Sequence, residues 1–75
     1  MKDEQPDASA KAAMVPHLLR LPAVLQITGL GRSTLYKMIS EGKFPAPVKL
    51  SIRASAWRDD EVGHWTSSRP RAGER

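Results

Sequence analysis

Two short helical patterns are broken by Gly29-Leu30-Gly31, a proline step at Phe44 to Pro47 leads into an alternating apolar run, and a basic middle lies between weakly acidic ends. Together these features predict a mainly α fold with a small β-hairpin, of the winged helix-turn-helix class. The length allows one small domain: 75 residues are too few for two cores, and with no cysteine to staple the chain the core must come from patterning alone. With 40% apolar residues and two tryptophans, the composition favours folding over wholesale disorder. The predicted organisation is an N-terminal arm over residues 1–17, the folded domain over 18–68 and a basic tail over 69–75.

The arm, rich in Ala, Lys, Asp and Pro, lacks an apolar stripe and is expected to be mobile. Helix one is predicted at about Pro22 to Thr28: Pro22 suits a first turn, where its missing N–H would be unpaired in any case, and Leu21, Val24, Leu25 and Thr28 recur at helical spacing. Gly29 suits the left-handed residue that ends a helix, and Leu30 can turn inward as an apolar plug. A second helix is predicted over about 32–41, with Leu35, Met38 and Ile39 inward and Gly42 as its stop. Phe44-Pro45-Ala46-Pro47 then runs out extended, because each proline pushes its predecessor away from helical geometry. Val48, Leu50 and Ile52 alternate with Lys49, Ser51 and Arg53, the period of a half-buried strand, and a return run from about Ala54 to Trp57 completes a hairpin. On that parity Ile52 is expected to pack onto the core with Val48 and Leu50. Asp59, Asp60 and Glu61 favour the positive end of a third helix, and with Arg58 as its cap, Trp57 and Val62 occupy the two places of a hydrophobic staple. Trp57 and Trp65 are both expected in the core.

Charge is unevenly spread. Leu18 to Arg58 holds seven bases (Arg20, Arg32, Lys37, Lys43, Lys49, Arg53, Arg58) against Glu41 alone, a net of +6, whereas the segments before and after each carry −1. That is the footprint of a surface built to meet a polyanion. With Leu35, Met38 and Ile39 inward, helix two presents Arg32, Ser33, Tyr36, Lys37 and Ser40 outward, a face of hydrogen-bond donors suited to phosphates and to base edges in a major groove. Lys49 and Arg53 lie on the hairpin, where a wing would meet the neighbouring backbone.

Enzymatic constellations are not apparent. His17 and His64 have no cysteine or neighbouring histidine to complete a metal set, Ser33 has no base at hand, and Gly29-x-Gly31 lacks the rest of a phosphate-loop pattern. No cofactor or small-molecule ligand is expected, and His17 and His64 are read as inert. No apolar run approaches the ~20 residues of a membrane span, and the first residues carry acids where a signal peptide would be basic and then apolar. The expected location is the cytoplasm, on the nucleoid when bound to DNA, without a membrane partner.

Leu21-Pro22-Ala23-Val24-Leu25, Ile27-Thr28-Gly29-Leu30-Gly31-Arg32-Ser33-Thr34-Leu35-Tyr36-Lys37, Gly42-Lys43-Phe44-Pro45-Ala46-Pro47-Val48-Lys49-Leu50 and Trp57-Arg58-Asp59-Asp60-Glu61-Val62 follow one another in this order. This succession closely resembles the AlpA family of small phage and prophage regulators. The family is similar to the excisionases and to the DNA-binding half of MerR proteins, which implies a winged helix-turn-helix that binds duplex DNA. Carried onto this chain, the resemblance makes Arg32, Ser33, Thr34, Tyr36 and Lys37 the recognition element, with Lys43 after it, and places the wing over about 48–57 around Lys49 and Arg53. The chain departs from the pattern at Gly31, where the family usually has a serine cap, and at Ser51-Ile52, where the wing turn commonly carries glycine. MerR relatives dimerise through a long C-terminal helix; nothing long and apolar follows Trp65 here, so a monomer is expected.

The function read from the sequence is sequence-specific binding of double-stranded DNA by a small transcriptional regulator without enzymatic activity. One alternative is an excisionase-like protein that bends DNA beside an integrase, as adjacent copies of itself. A second is a basic adaptor for an acidic protein partner.

Overall fold

The first helix opens where Pro22 permits it, one residue earlier than the periodicity suggests, because Leu21 already has helical geometry and the Arg20 carbonyl accepts the Val24 N–H at 3.1 Å. In the computed structural model, which describes residues 15–73, the elements are β1 (Leu18–Leu19), α1 (Leu21–Thr28), α2 (Arg32–Ser40), β2 (Val48–Ser51), β3 (Ala54–Arg58) and α3 (Asp59–Ser67). Three helices thus surround a small antiparallel sheet, a winged helix-turn-helix. Of the arm expected over residues 1–17, residues 1–14 lie outside the described residues, and its last residue, His17, is not free but bonded to Asp59.

Both helix ends of the helix-turn-helix are set by glycine. Gly29 adopts φ 76° and donates its N–H to the Leu25 carbonyl at 2.8 Å, the left-handed cap that a side chain would disfavour. The Thr28 hydroxyl donates to the Val24 carbonyl and accepts the Leu30 N–H, which holds Leu30 against the core. At the end of α2, Gly42 (φ 74°) donates to Ile39 at 3.1 Å and Lys43 to Met38 at 2.8 Å, the paired bonds of a Schellman motif. Leu35 is buried while Met38 and Ile39 are half-buried, so α2 presents the face its periodicity assigns.

The sheet differs from the expected hairpin in two ways. First, it has three strands in the order β1-β3-β2. Leu18 and Leu19 pair antiparallel with Arg58 and Trp57, and beyond them the His17 N–H donates to the Asp59 carboxylate at 3.0 Å while the Asp59 N–H donates to the His17 carbonyl at 2.8 Å. His17 is therefore a structural residue: its backbone closes the sheet onto the start of α3, and its Nδ1 lies 3.4 Å from Asp59. Second, β2 carries a bulge between Lys49 and Ser51. Val48 and Lys49 face Ala56 and Ser55 in regular register, but Ser51 pairs with Ala54, leaving Leu50 as the extra residue. Past the bulge the alternation changes phase. Neither Leu50 nor Ile52 packs onto the core as expected: Leu50, at the bulge, is 46% exposed, and Ile52 sits in the two-residue turn with Arg53 and is 89% exposed.

The core is Val24, Leu35, Phe44, Trp57 and Val62, with Leu19, Leu21, Leu25, Leu30, Met38, Ile39 and Trp65 packed around it. The extended step between α2 and β2 leaves backbone carbonyls without a ladder partner, and the two indoles supply donors. Trp57 Nε1 donates to the Pro45 carbonyl at 3.0 Å and Trp65 Nε1 to the Lys43 carbonyl at 2.8 Å. Phe44 lies edge-on to Trp65 with ring centroids 4.9 Å apart. α3 starts as the acids imply, with Asp59, Asp60 and Glu61 in its first turn and Arg58 at the cap position. Arg58 also donates to Asp60 at 3.0 Å and 3.2 Å, and this bonding holds the Asp60 carboxyl below its ordinary range.

Trp57 is 1% exposed at the centre of this arrangement. A domain of this size has only a few kcal/mol of net stability, and truncating a buried tryptophan costs about 3–5 kcal/mol. Trp57→Ala is therefore expected to be unfolded at 37 °C, with loss of the far-ultraviolet circular dichroism and of a cooperative melt. A well-folded variant would show that the indole is not the centre of the core.

Candidate nucleic-acid interface

α2 begins at Gly31, which caps with an extended backbone (φ −79°) and has no side chain to accept the first amides. The Gly31 carbonyl accepts the Leu35 N–H at 2.9 Å, but the amides of Arg32, Ser33 and Thr34 have no intrahelical partner. Arg32, Ser33, Thr34, Tyr36 and Lys37 are all exposed along the helix. Ser40 on the same helix is turned inward on its own backbone, its hydroxyl donating to the Lys37 carbonyl at 2.7 Å.

Tyr36 is held from beneath. Its ring is 6.3 Å from that of Trp57 in an edge-on arrangement, while 44% of the residue remains exposed, so the core fixes the ring and leaves the hydroxyl without a hydrogen-bond partner among the described residues. Beside it is a notch of about 270 Å³, lined by Arg20 and Pro22 from the start of α1, Tyr36 from α2, and Arg53, Ser55 and Trp57 from the hairpin. The fold thus brings Tyr36 and Arg53, 17 positions apart in the sequence, to one place and adds Arg20 to them. Arg20 was not singled out by the sequence; the available signal was a base directly before a proline-led helix in a segment nearly free of acids.

The other two bases on the sequence-derived set are engaged. Lys49, on β2, folds over the turn and donates its ammonium to the Ile52 carbonyl at 3.1 Å. Lys43 lies beyond the far end of α2 from Arg32, 3.5 Å from Glu41, and its backbone serves the Schellman motif and Trp65. Its surface ion pair is of the weak, solvent-screened kind. Arg53 occupies the turn itself and not the strand face on which alternation places it.

The acids sort these bases. Glu41 faces Lys43, Asp59 faces His17, and Asp60 and Glu61 both face Arg58. Arg69 stacks on Trp65 at 4.3 Å and donates to its carbonyl at 3.0 Å. The side chains of Arg20, Arg32, Lys37 and Arg53 have neither an acidic partner nor a hydrogen bond among the described residues. All four belong to the helix-turn-helix or the hairpin turn. Such unneutralised cations are available to anionic oxygens, guanidinium in bidentate geometry and ammonium as a point charge.

Fold and site together define a small winged helix-turn-helix domain with an unneutralised basic surface. Comparison with known proteins places it further. The chain belongs to the AlpA family: the family model described as prophage CP4-57 regulatory protein (AlpA) matches residues 17–70, from the histidine that closes the sheet to just past the arginine stacked on Trp65. It is 43% identical over 51 residues to the uncharacterized protein ORF88 of Enterobacteria phage P4, a match covering 68% of this chain and 58% of that protein. It is 34% identical over 58 residues to the DNA-binding transcriptional activator AlpA of Escherichia coli (strain K12), covering 69% of this chain and 83% of the relative. No solved structure matches.

Proposed function

We propose that this protein binds double-stranded DNA in a sequence-specific manner and acts as a small transcriptional regulator, with α2 in the major groove and the β2–β3 hairpin on the adjacent backbone. The observation that carries the reading is the segregation of the cations: those whose side chains have no partner among the described residues lie at the cap of α1, on α2 and on the hairpin turn, and the acids are spent elsewhere. The relationship to a DNA-binding transcriptional activator supports the same reading. Arg32 at the start of α2 is assigned to a base edge, Lys37 one and a half turns later to a phosphate, and Ser33, Thr34 and Tyr36 to backbone oxygens. Lys43 and Lys49 add positive potential near the same backbone. The binding unit is the folded domain expected over 18–68, extended by His17 and Arg69, which are bonded to it at its two ends.

A second reading, an excisionase-like protein that bends DNA beside an integrase or as adjacent copies, is favoured by one observation. Ile52 is 89% exposed at the tip of the hairpin, where an aliphatic wedge could part a base step from the minor groove. In circular-permutation gel shifts, a strong bend that Ile52→Ser abolishes supports this role, and an unbent site excludes it.

Selection from a random duplex library tests the main reading directly: enrichment of one sequence, bound with strong salt dependence, is the expected outcome. No enrichment, together with no salt-dependent binding of generic duplex, would instead point to an acidic protein as the partner. On the selected site, Lys37→Ala is expected to weaken all sequences alike and to lower the salt slope by roughly one unit, as loss of a phosphate contact does. Arg32→Ala is expected to cost about 1–3 kcal/mol and to relax preference at one base pair. A uniform loss for Arg32→Ala would make it a phosphate contact.

A further inference from the structure

The notch between α1, α2 and the hairpin has a chemistry of its own. Its floor is apolar and rigid: the Trp57 indole is 1% exposed, with Pro22 beside it and the Tyr36 ring standing edge-on. Its rim is a set of donors. Arg20 and Arg53 bring two guanidinium groups with no partner among the described residues, and Tyr36 and Ser55 bring hydroxyls. No acid lines it. Two cations without a counter-charge at one small opening repel each other, a cost that an acceptor-only anion removes. At about 270 Å³ the notch falls below the ~300–1,000 Å³ of clefts that take drug-sized ligands, and its planar guanidinium forks match the oxygens of a phosphate.

We infer that Arg20, Tyr36 and Arg53 together seat a single backbone phosphodiester of duplex DNA, an assignment that rests on the duplex-binding reading above. Because the three side chains come from α1, α2 and the hairpin turn, one phosphate would tie all three elements together. It would set how far α2 enters the groove next to it. The notch would act as a register clamp and would read no base.

The test uses the full chain with the duplex recovered by selection and an unrelated duplex of the same length, measuring affinity between 50 and 200 mM salt. Arg20→Met and Arg53→Met keep an aliphatic stem and remove the charge, and both residues are exposed, so normal circular dichroism is expected. Each variant should weaken both duplexes to the same degree. The double variant should lower the salt slope by about 0.9, the share of one phosphate, and not by twice that amount. Tyr36→Phe keeps the ring on Trp57 and should lose several-fold in affinity with an unchanged slope and melting temperature. In a scan of single neutral methylphosphonate substitutions, one position should weaken the parent but not the double variant. A double-variant slope lowered by about 1.8 would mean two separate phosphates and overturn the shared seat, as would variants that bind like the parent. If the parent binds no duplex even at low salt, the DNA reading itself fails; a binding parent with silent variants removes the seat alone.

Discussion

The buried indole of Trp57 is the constraint on which the rest of this small domain depends. It lies on the middle strand, opposite Leu19 of β1, and its N–H supplies the donor that the proline step at Pro45 lacks. Its ring sits under Tyr36 and lines the notch beside Arg20 and Arg53. One side chain therefore joins the sheet, the extended arm, α2 and the candidate interface. In a chain with no disulfide, the consequence is that interface geometry and global stability are coupled through the same residue.

Around that centre the protein solves a charge problem by local pairing. Four acids in the described residues take up His17, Lys43 and Arg58, and three of the four acids stand in the first turn of α3. There they also complement the helix dipole, so the same carboxylates stabilise the helix start and hold Arg58 and His17 beside it. The bases left over are not a random remainder. They fall at the N-cap of α1, on α2 and on the hairpin turn, and of these Arg20 and Arg53 meet at the notch.

The hairpin illustrates how a one-residue irregularity changes what a surface can do. A regular β2 would carry Val48, Leu50 and Ile52 on one side and leave Lys49 and Arg53 on the other. The bulge at Leu50 breaks that alternation, moves Ile52 to the solvent-exposed tip and turns Arg53 toward the notch. Lys49, which alternation would offer to a ligand, instead braces the turn through the Ile52 carbonyl. The tip is thus pinned by its own lysine, and its reach is set by Ile52 and Arg53.

Helix spans, glycine caps, the proline step, the buried face of α2 and the basic excess could all be read in the sequence, because each rests on interactions a few residues long. Caps, periodicity and proline geometry act within about one turn of a helix or one pair of strand residues. The resemblance to prophage regulators was readable for a related reason: its motifs are these same local signals in a set order. What tertiary structure alone decided is non-local. β1 is a strand only because β3 offers it an edge, and His17 matters only because Asp59, 42 residues away, meets it there. Arg20 lines the notch with Arg53 because the start of α1 comes to lie against the hairpin, and no spacing in the chain marks that meeting. Which bases remain free depends on where every acid lands after folding, and a pairing between distant side chains has no period by which a sequence could announce it.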